Sequence, residues 1–364
     1  MQIHRRLHLP IVVILPSSKD EEKFYQDLHF FSNRSNLPII DFPSYHILPF
    51  KFLSSHNETA AKRIRTLYRL IAGGGSPLVV TTVDALLQKI VPKNEITDFA
   101  ELILEGEEID REGLIQKLIS GGYTRSLIVE EPGDFSLRGG ILDLYTPLYS
   151  YPLRIKLTGE TVDSLRFFSP LTQRKRKRVS EAVILPARET IIKKDRLHLI
   201  ISQIRREAPE LEVPVTQVRK TIDQLKNEGI FPGIEGFLPF IYPSLDTFLD
   251  YIPDQALFIL MGLKELEEAA EKSQKEVADN FRTARAEGKL CIQPNRLYLE
   301  WEKVKTDLMG KKPLIFEKLP LSVGVSNTNQ NVSSGRFFVQ ENGELNEKLK
   351  RQGEKEHFYL HLAT

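Results

Sequence analysis

The chain has 364 residues and a formal net charge of +1 at pH 7. This length suffices for two or three domains that each bury a core, and the near-neutral charge excludes the global basic bias of a dedicated nucleic-acid coat protein. One cysteine, Cys291, excludes a disulfide framework and a multi-cysteine metal site, and it is typical of a reducing, cytoplasmic location. The apolar run at residues 11–15 is too short to cross a bilayer, so we predict no signal peptide and no membrane contact.

Residues 1–106 alternate short apolar runs with helical patterns, which is typical of a parallel α/β layer. The runs PIVVILP and PLVVTTV predict buried strands. Between them, ETAAKRIRTLYRLIAGGG has apolar residues at helical spacing, and Gly73–Gly75 are interpreted as the helix stop. The remaining face carries Lys62, Arg63, Arg65 and Arg69, which we interpret as a solvated basic face.

Residues 107–192 follow a different pattern. One helix, DREGLIQKLISGGY, precedes four predicted short strands, RSLIVEE, DFSLRGGILDLY, PLRIKL and VDSLRFF. The turns between them predict an antiparallel meander from about Ser126 to Phe168. In LRIKL, apolar residues alternate with Arg154 and Lys156, so one face of the sheet is expected to be core and the other basic and wet.

Residues 193–319 return to the first pattern, with predicted helices, the buried strand ALFILMG and a long charged helix from about Lys264. We therefore predict an α/β fold interrupted by a small β-rich (α+β) insert. Residues 320–364 begin with a polar, turn-rich stretch and are interpreted as a linker or mobile tail.

Arg138 precedes two glycines inside one of the predicted strands. Glycine weakens a strand interior, and its usual reason is a bulge or the close approach of another backbone. We expect Arg138 to stand on a bent strand with its side chain held out from the sheet.

Motifs for catalysis are missing from the sequence. No glycine-rich loop ends in Gly-Lys-Ser/Thr, no Gly-x-Ser-x-Gly elbow is present, and the i, i+4 pair His357 and His361 has no third metal ligand in reach. Cys291 lacks a motif that would make it a nucleophile, and we expect it to be dispensable. We predict no enzymatic activity, no cofactor and no metal for this segment.

The most basic feature is the run Arg174, Lys175, Arg176, Lys177 and Arg178. Such a run suits either a solvated loop or a site for DNA contact and electrostatic steering.

Three stretches, VEEPGDFSLRGGILDLYTP, YPLRIKLTGETVDSLRFFSPLTQR and VILPARE, in this order and spacing, resemble the N-terminal, UvrB-like region of the bacterial transcription-repair coupling factors, Mfd. The resemblance covers about Leu9 to Leu319. It implies a degenerate, P-loop-related helicase domain without a Walker A motif, interrupted by an inserted module that docks on UvrA. The segment SYHILPFKFLSSHNETAAK is too short for the DNA-clamping hairpin of the related helicase UvrB.

The resemblance also implies a function. Arg138 and Arg154 match arginines that the family uses to meet UvrA, and Arg166 is a weaker candidate on the neighbouring strand. The position of the family's aromatic contact holds Leu157 and Thr158. The family's motor, which uses ATP and Mg, and its contacts with RNA polymerase and DNA are expected in parts outside these residues.

We therefore expect a platform that recruits UvrA during DNA repair, without motor activity of its own. Two alternatives remain open, an ATP-dependent DNA translocase or helicase and a UvrB-like DNA-binding module. Steep salt dependence of DNA affinity would favour the latter, through Arg174–Arg178 and the basic helix.

Overall fold

The structure is a computed structural model that describes residues 7–32, 38–45, 50–51, 56–318 and 337–339. The pair His357 and His361 and most of the predicted 320–364 tail lie outside the described residues, as does part of the segment compared with the UvrB hairpin.

The strands are numbered in chain order. They are β1 Ile11–Leu15, β2 Ile39–Phe42, β3 Leu78–Thr82, β4 Lys89–Ile90, β5 Glu101–Leu104, β6 Thr124–Arg125, β7 Asp134–Arg138, β8 Ile141–Leu144, β9 Leu153–Thr158, β10 Thr161–Phe168, β11 Lys175–Val179, β12 Glu181–Ile184, β13 Asp246–Thr247, β14 Leu257–Met261, β15 Leu314–Lys318 and β16 Phe337–Val339.

Helices of varied length connect these strands. The described α-helices are Ser18–Ser32, Asn57–Ala72, Val83–Leu87, Lys93–Phe99, Arg111–Ser120, Leu197–Glu207, Val215–Asn227, Leu238–Ile241, Phe248–Tyr251, Leu263–Ala286, Pro294–Leu297 and Trp301–Gly310.

A parallel sheet of order β15-β14-β1-β3-β2 forms the centre of the α/β part, and β16 adds an antiparallel edge strand to β15. β1 and β3 are buried along their whole length because apolar clusters cover both faces of the sheet. The strands predicted from PIVVILP, PLVVTTV and ALFILMG are confirmed, and so is the α/β class. Within residues 320–364 the structure describes only β16, and the linker or tail predicted for the rest stays a prediction.

A second sheet of order β11-β10-β9-β8-β7-β6 is built entirely from residues between β3 and β14. Its pairs are antiparallel except β6–β7, and the separate antiparallel pair β5–β12 lies at the two ends of this stretch of chain. Leu142, Ile155 and Leu165 stand directly opposite one another and are buried in a core of its own. The alternation in LRIKL therefore places one face on that core, as predicted.

Two predictions about the edges of this sheet are wrong. RSLIVEE is not a strand after its first residue, because side chains bind its backbone: Asp134 accepts hydrogen bonds from the backbone N–H groups of Glu130 and Glu131. The basic run is not a loop, because Lys175–Val179 pair with β10 as the last strand of the sheet. Charged residues on such an edge oppose pairing with another chain.

The predicted basic face of the helix Asn57–Ala72 is also wrong at Arg63, which has no exposed surface. Arg63 forms an ion pair with Glu189, donates through Nη1 to the carbonyl of Pro43 over 2.8 Å, and lies against the rings of Phe42 and Tyr45. Glu189 follows the second sheet in the chain, so this buried pair links the segment that leaves the second sheet to the α/β part.

DFSLRGGILDLY is not the single bent strand predicted, because the two glycines after Arg138 form the turn between β7 and β8. Arg138 and Ile141 are register partners, and Gly139 has φ +58°, as the first central residue of a type II′ turn requires. A Cβ on Gly140 would lie 2.5 Å from the carbonyl oxygen of Leu157. The close approach of another backbone therefore explains the second glycine.

Candidate protein-docking surface

The register of the second sheet brings the three predicted arginines to one face. Asp143, Arg154, Arg166 and Arg178 are successive partners across β8, β9, β10 and β11, so their side chains share the face opposite the core. Arg138 lies on β7 two residues beyond Ser136, the partner of Asp143, and therefore shares this face. We call the surface carrying Arg138, Arg154 and Arg166 the arginine face.

Arg154 is held within the chain. Its Nε and Nη2 donate to the two carboxylate oxygens of Asp143 over 2.7 and 2.8 Å, and its guanidinium lies 4.7 Å from the ring centre of Phe168. Its side chain is 22% exposed and that of Asp143 only 5%. This hydrogen-bonded pairing raises the pKa of Arg154 above its ordinary value. Arg154 is thus less exposed than expected, and both donors of its fork are already used.

Arg166 and Arg138 differ from Arg154, because neither has a carboxylate partner within the described residues. Arg166 lies directly between Arg154 and Arg178 in the register. Arg178 pairs with Glu105, its Nε lying 3.2 Å from Oε2. Like charges directly opposite one another destabilise a sheet. Carboxylates balance the outer two arginines of the row, and the central charge of Arg166 stays uncompensated.

Arg138 contacts a segment that runs over the arginine face, residues 126–131, here called the crossing segment. The carbonyl of Leu127 accepts hydrogen bonds from Nη2 of Arg138 and from Oγ of Ser136. Farther along, the carbonyl of Val129 accepts from Nε2 of Gln173, in the turn between β10 and β11. The crossing segment therefore joins strands from both halves of the sheet.

The run Arg174–Arg178 is exposed at all five residues. Arg178 is bound to Glu105, and the guanidinium of Arg176 lies 4.0 Å from the ring centre of Tyr151. The side chains of the remaining basic residues of the run form no hydrogen bond, ion pair or ring contact with the described residues, which suits a rim or steering role for them.

Of the four basic residues on the helix Asn57–Ala72, only Arg69 is exposed, and the other three are engaged within the chain. Arg63 is buried, Lys62 pairs with Asp41 and Glu58, and Nε of Arg65 donates to the carbonyl of Pro147 over 2.6 Å. The adjoining cleft of about 680 Å³ is lined by three glutamates besides Lys62 and Arg65. These glutamates, Glu58, Glu130 and Glu131, would repel phosphate.

The described residues offer few groups for nucleophilic or metal chemistry. Burial raises the pKa of the Cys291 thiol to about 11, so the reactive thiolate is scarce at neutral pH. Within residues 7–318, apart from the short undescribed gaps, no three His, Cys, Asp or Glu side chains are arranged to hold a metal. The described helices include none with the length and apolar character needed to cross a membrane.

Sequence reasoning missed the carboxylates that organise the arginine face. Asp143 is 4% exposed, and its only signal was an acidic residue between two leucines in ILDL. Glu105 lies 73 residues before Arg178 and gave no signal. Each pairing depends on strand register, which sequence periodicity does not supply.

Comparisons of the chain with known proteins agree with the resemblance identified in the sequence. Residues 102–189 match the family model described as UvrB interaction domain, which spans the second sheet and the β5–β12 pair. Similar curated proteins are the transcription-repair-coupling factors of Myxococcus xanthus, 28% identical over 86% of this chain and 27% of the relative, and of Bacillus subtilis, 28% identical over 93% and 29%. The factor of Escherichia coli is 26% identical over 87% of this chain and 27% of its own length.

The chain thus spans just over a quarter of the length of these relatives. The resemblance to the N-terminal region of transcription-repair coupling factors is confirmed.

Proposed function

We propose that this chain, which is similar to transcription-repair-coupling factors over most of its length, is a protein-docking platform of DNA repair that binds UvrA through its arginine face and does no motor work itself. In this proposal the second sheet is the inserted docking module, and the parallel sheet is a degenerate helicase-like domain that carries it in the cytoplasm. RNA polymerase, DNA and ATP are handled by other parts of the full-length relatives.

The observation that carries the proposal is the uncompensated charge of Arg166 at the centre of a row of arginines. Arg154, Arg166 and Arg178 are directly opposed like charges, which destabilise the sheet. Asp143 and Glu105 neutralise only the outer two. Arg166 is half-buried and Arg138 is exposed. Arginines that lack a carboxylate and stand on a rigid sheet suit bidentate pairing with carboxylates of a partner. Arg138 adds a second such group at the end of β7.

Arg154 has a mixed role in this proposal. Its Nε and Nη2 hold Asp143, and among the described residues Nη1 has no hydrogen-bond partner. We therefore assign direct pairing with the partner mainly to Arg138 and Arg166, with Arg154 as a smaller contributor that also holds the face together.

The test is a titration of purified UvrA with this chain and its Arg166→Glu variant. We expect the variant to bind at least about 2 kcal/mol more weakly, because a partner carboxylate would then face a like charge. The matched control is Arg219→Glu, an exposed arginine on the helix Val215–Asn227, which should bind as the unchanged chain does. Equal affinities for Arg166→Glu and the unchanged chain would contradict the proposal.

The DNA-binding alternative has one observation in its favour, the exposed basic edge strand β11. It predicts DNA affinity that falls steeply with salt and is lost when Arg174–Arg178 are reversed in charge.

A further inference from the structure

Three exposed apolar residues lie near Arg138, on the crossing segment and on β8. Leu127 is 89% exposed and Ile128 49% exposed on the crossing segment, and Ile141, directly opposite Arg138 in the β7–β8 hairpin, is 37% exposed. The carbonyl of Leu127 accepts a hydrogen bond from the Arg138 guanidinium, so the apolar and basic groups are held together. Single exposed apolar residues are ordinary, but a group of three around an unpaired arginine is characteristic of an interaction site.

The crossing segment is anchored on both sides of these side chains. Leu127 is bound through its carbonyl to Ser136 and Arg138, and Val129 is 1% exposed and bound through its carbonyl to Gln173. Leu127 and Ile128 are therefore presented on a fixed backbone, and binding would cost little ordering of the chain.

Leu157 cannot supply the apolar part of the contact, because it is 6% exposed within the core of the sheet. The neighbouring Thr158 is polar. The aromatic contact expected at this place from the resemblance therefore has no equivalent on β9.

We propose that Leu127, Ile128 and Ile141 form the apolar half of the docking surface and receive a part of UvrA where an apolar side chain lies beside the carboxylate that pairs with Arg138. This inference rests on the proposed function. The charge on this face favours such an occupant, since Arg138 has no carboxylate of its own among the described residues. Apolar contacts that exclude water around a charged pair strengthen that pair, which is the arrangement found around binding hot spots.

The experiment is calorimetric titration of UvrA with Leu127→Ser, Ile128→Ser, Arg138→Ala and Arg166→Glu. We expect each of the two serine variants to lose about tenfold or more in affinity and to show a less negative heat-capacity change, because less apolar surface is buried on binding. Arg138→Ala should lose affinity with a nearly unchanged heat-capacity change. The matched control is Val215→Ser, an exposed residue at the start of another helix, which should bind normally.

Folding does not obscure the result, since Leu127 and Ile128 are exposed and their serine variants should melt as the unchanged chain does. Normal binding by both serine variants beside weakened binding by Arg166→Glu would overturn this inference and leave the proposed function standing. Normal binding by all four variants would overturn both. A dimer in sedimentation that Leu127→Ser dissociates, without loss of UvrA affinity, would overturn the inference in favour of a second copy of the chain as occupant.

Discussion

Arg154 and Arg138 look equivalent in the sequence, but their surroundings differ. Arg154→Ala would leave Asp143, whose side chain is 5% exposed, without its counter-charge, and we expect a loss of unfolding free energy on the order of 3 kcal/mol. Arg138→Ala should stay within about 0.5 kcal/mol, because that side chain is exposed and unpaired with any described carboxylate. Urea denaturation of the two variants measures the difference, and equal midpoints would contradict the account.

Glu21 provides a second prediction for a single residue. Burial raises the pKa of Glu21 from 4.5 to about 7, and the nearby charge of Asp41 adds to this rise. The charge of Lys62 acts in the opposite direction and only partly offsets it. Because the folded state binds this proton more tightly than the unfolded state, the contribution to stability is fully present below pH 4.5 and is lost as the pH rises through about 7.

Glu21→Gln removes this titration. Between pH 5 and pH 8 the unfolding free energy of the unchanged chain should fall relative to that of the variant, by at most about 3 kcal/mol. Denaturation at the two pH values tests this, and a constant difference between the two proteins would contradict it.

At the scale of single elements, the β7–β8 hairpin yields a prediction. In Gly140→Ala the new Cβ would meet the backbone oxygen of Leu157 at 2.5 Å, so one strand must shift, and we expect a loss of about 1–3 kcal/mol. Gly310→Ala is the matched control, because nothing lies within 4 Å of its Cβ, and it should be neutral or slightly stabilising. Thermal melting compares them, and a stable Gly140→Ala variant would show that the hairpin tolerates the added carbon.

Elements with strong local patterns were predictable from the sequence. Unbroken apolar runs gave β1, β3 and β14, and strict alternation gave the inward face of β9. RSLIVEE has strand-forming residues, but its backbone donates hydrogen bonds to Asp134 and accepts them from Ser136 and Arg138, which makes it the crossing segment instead. The bonds from Ser136 and Arg138 depend on the folded sheet and cannot be read from local propensity.

The candidate site was predictable in part. The resemblance named the three arginines, and their placement on a single face follows from register. Which of these arginines lack a carboxylate partner within the chain could not be predicted. Asp143 becomes the neighbour of Arg154, and Glu105 that of the adjacent Arg178, only in the folded sheet. The same holds for Arg63, whose partner Glu189 lies 126 residues away.

For the whole molecule, we predict no measurable binding or hydrolysis of ATP. The loop after β1, where a related domain would hold phosphates, is two residues long, and the next helix has Asp20 and Glu21 in its first turn. The carboxylate of Asp20 lies at the end of the helix that would otherwise attract an anion. Equilibrium dialysis with labelled ATP and Mg measures it, and micromolar affinity that persists after repurification would contradict the prediction.

The central claim is that UvrA binds the arginine face and not the basic edge strand. The most direct measurement is a set of UvrA binding isotherms at physiological salt for the double variant Arg138→Glu/Arg166→Glu and for a variant with Arg174–Arg178 reversed in charge. The account predicts that the double variant loses binding by at least about 2 kcal/mol, whereas the edge-strand variant mainly associates more slowly and responds less to salt. Normal binding by the double variant, together with loss of binding by the edge-strand variant, would contradict the account and place the site on β11.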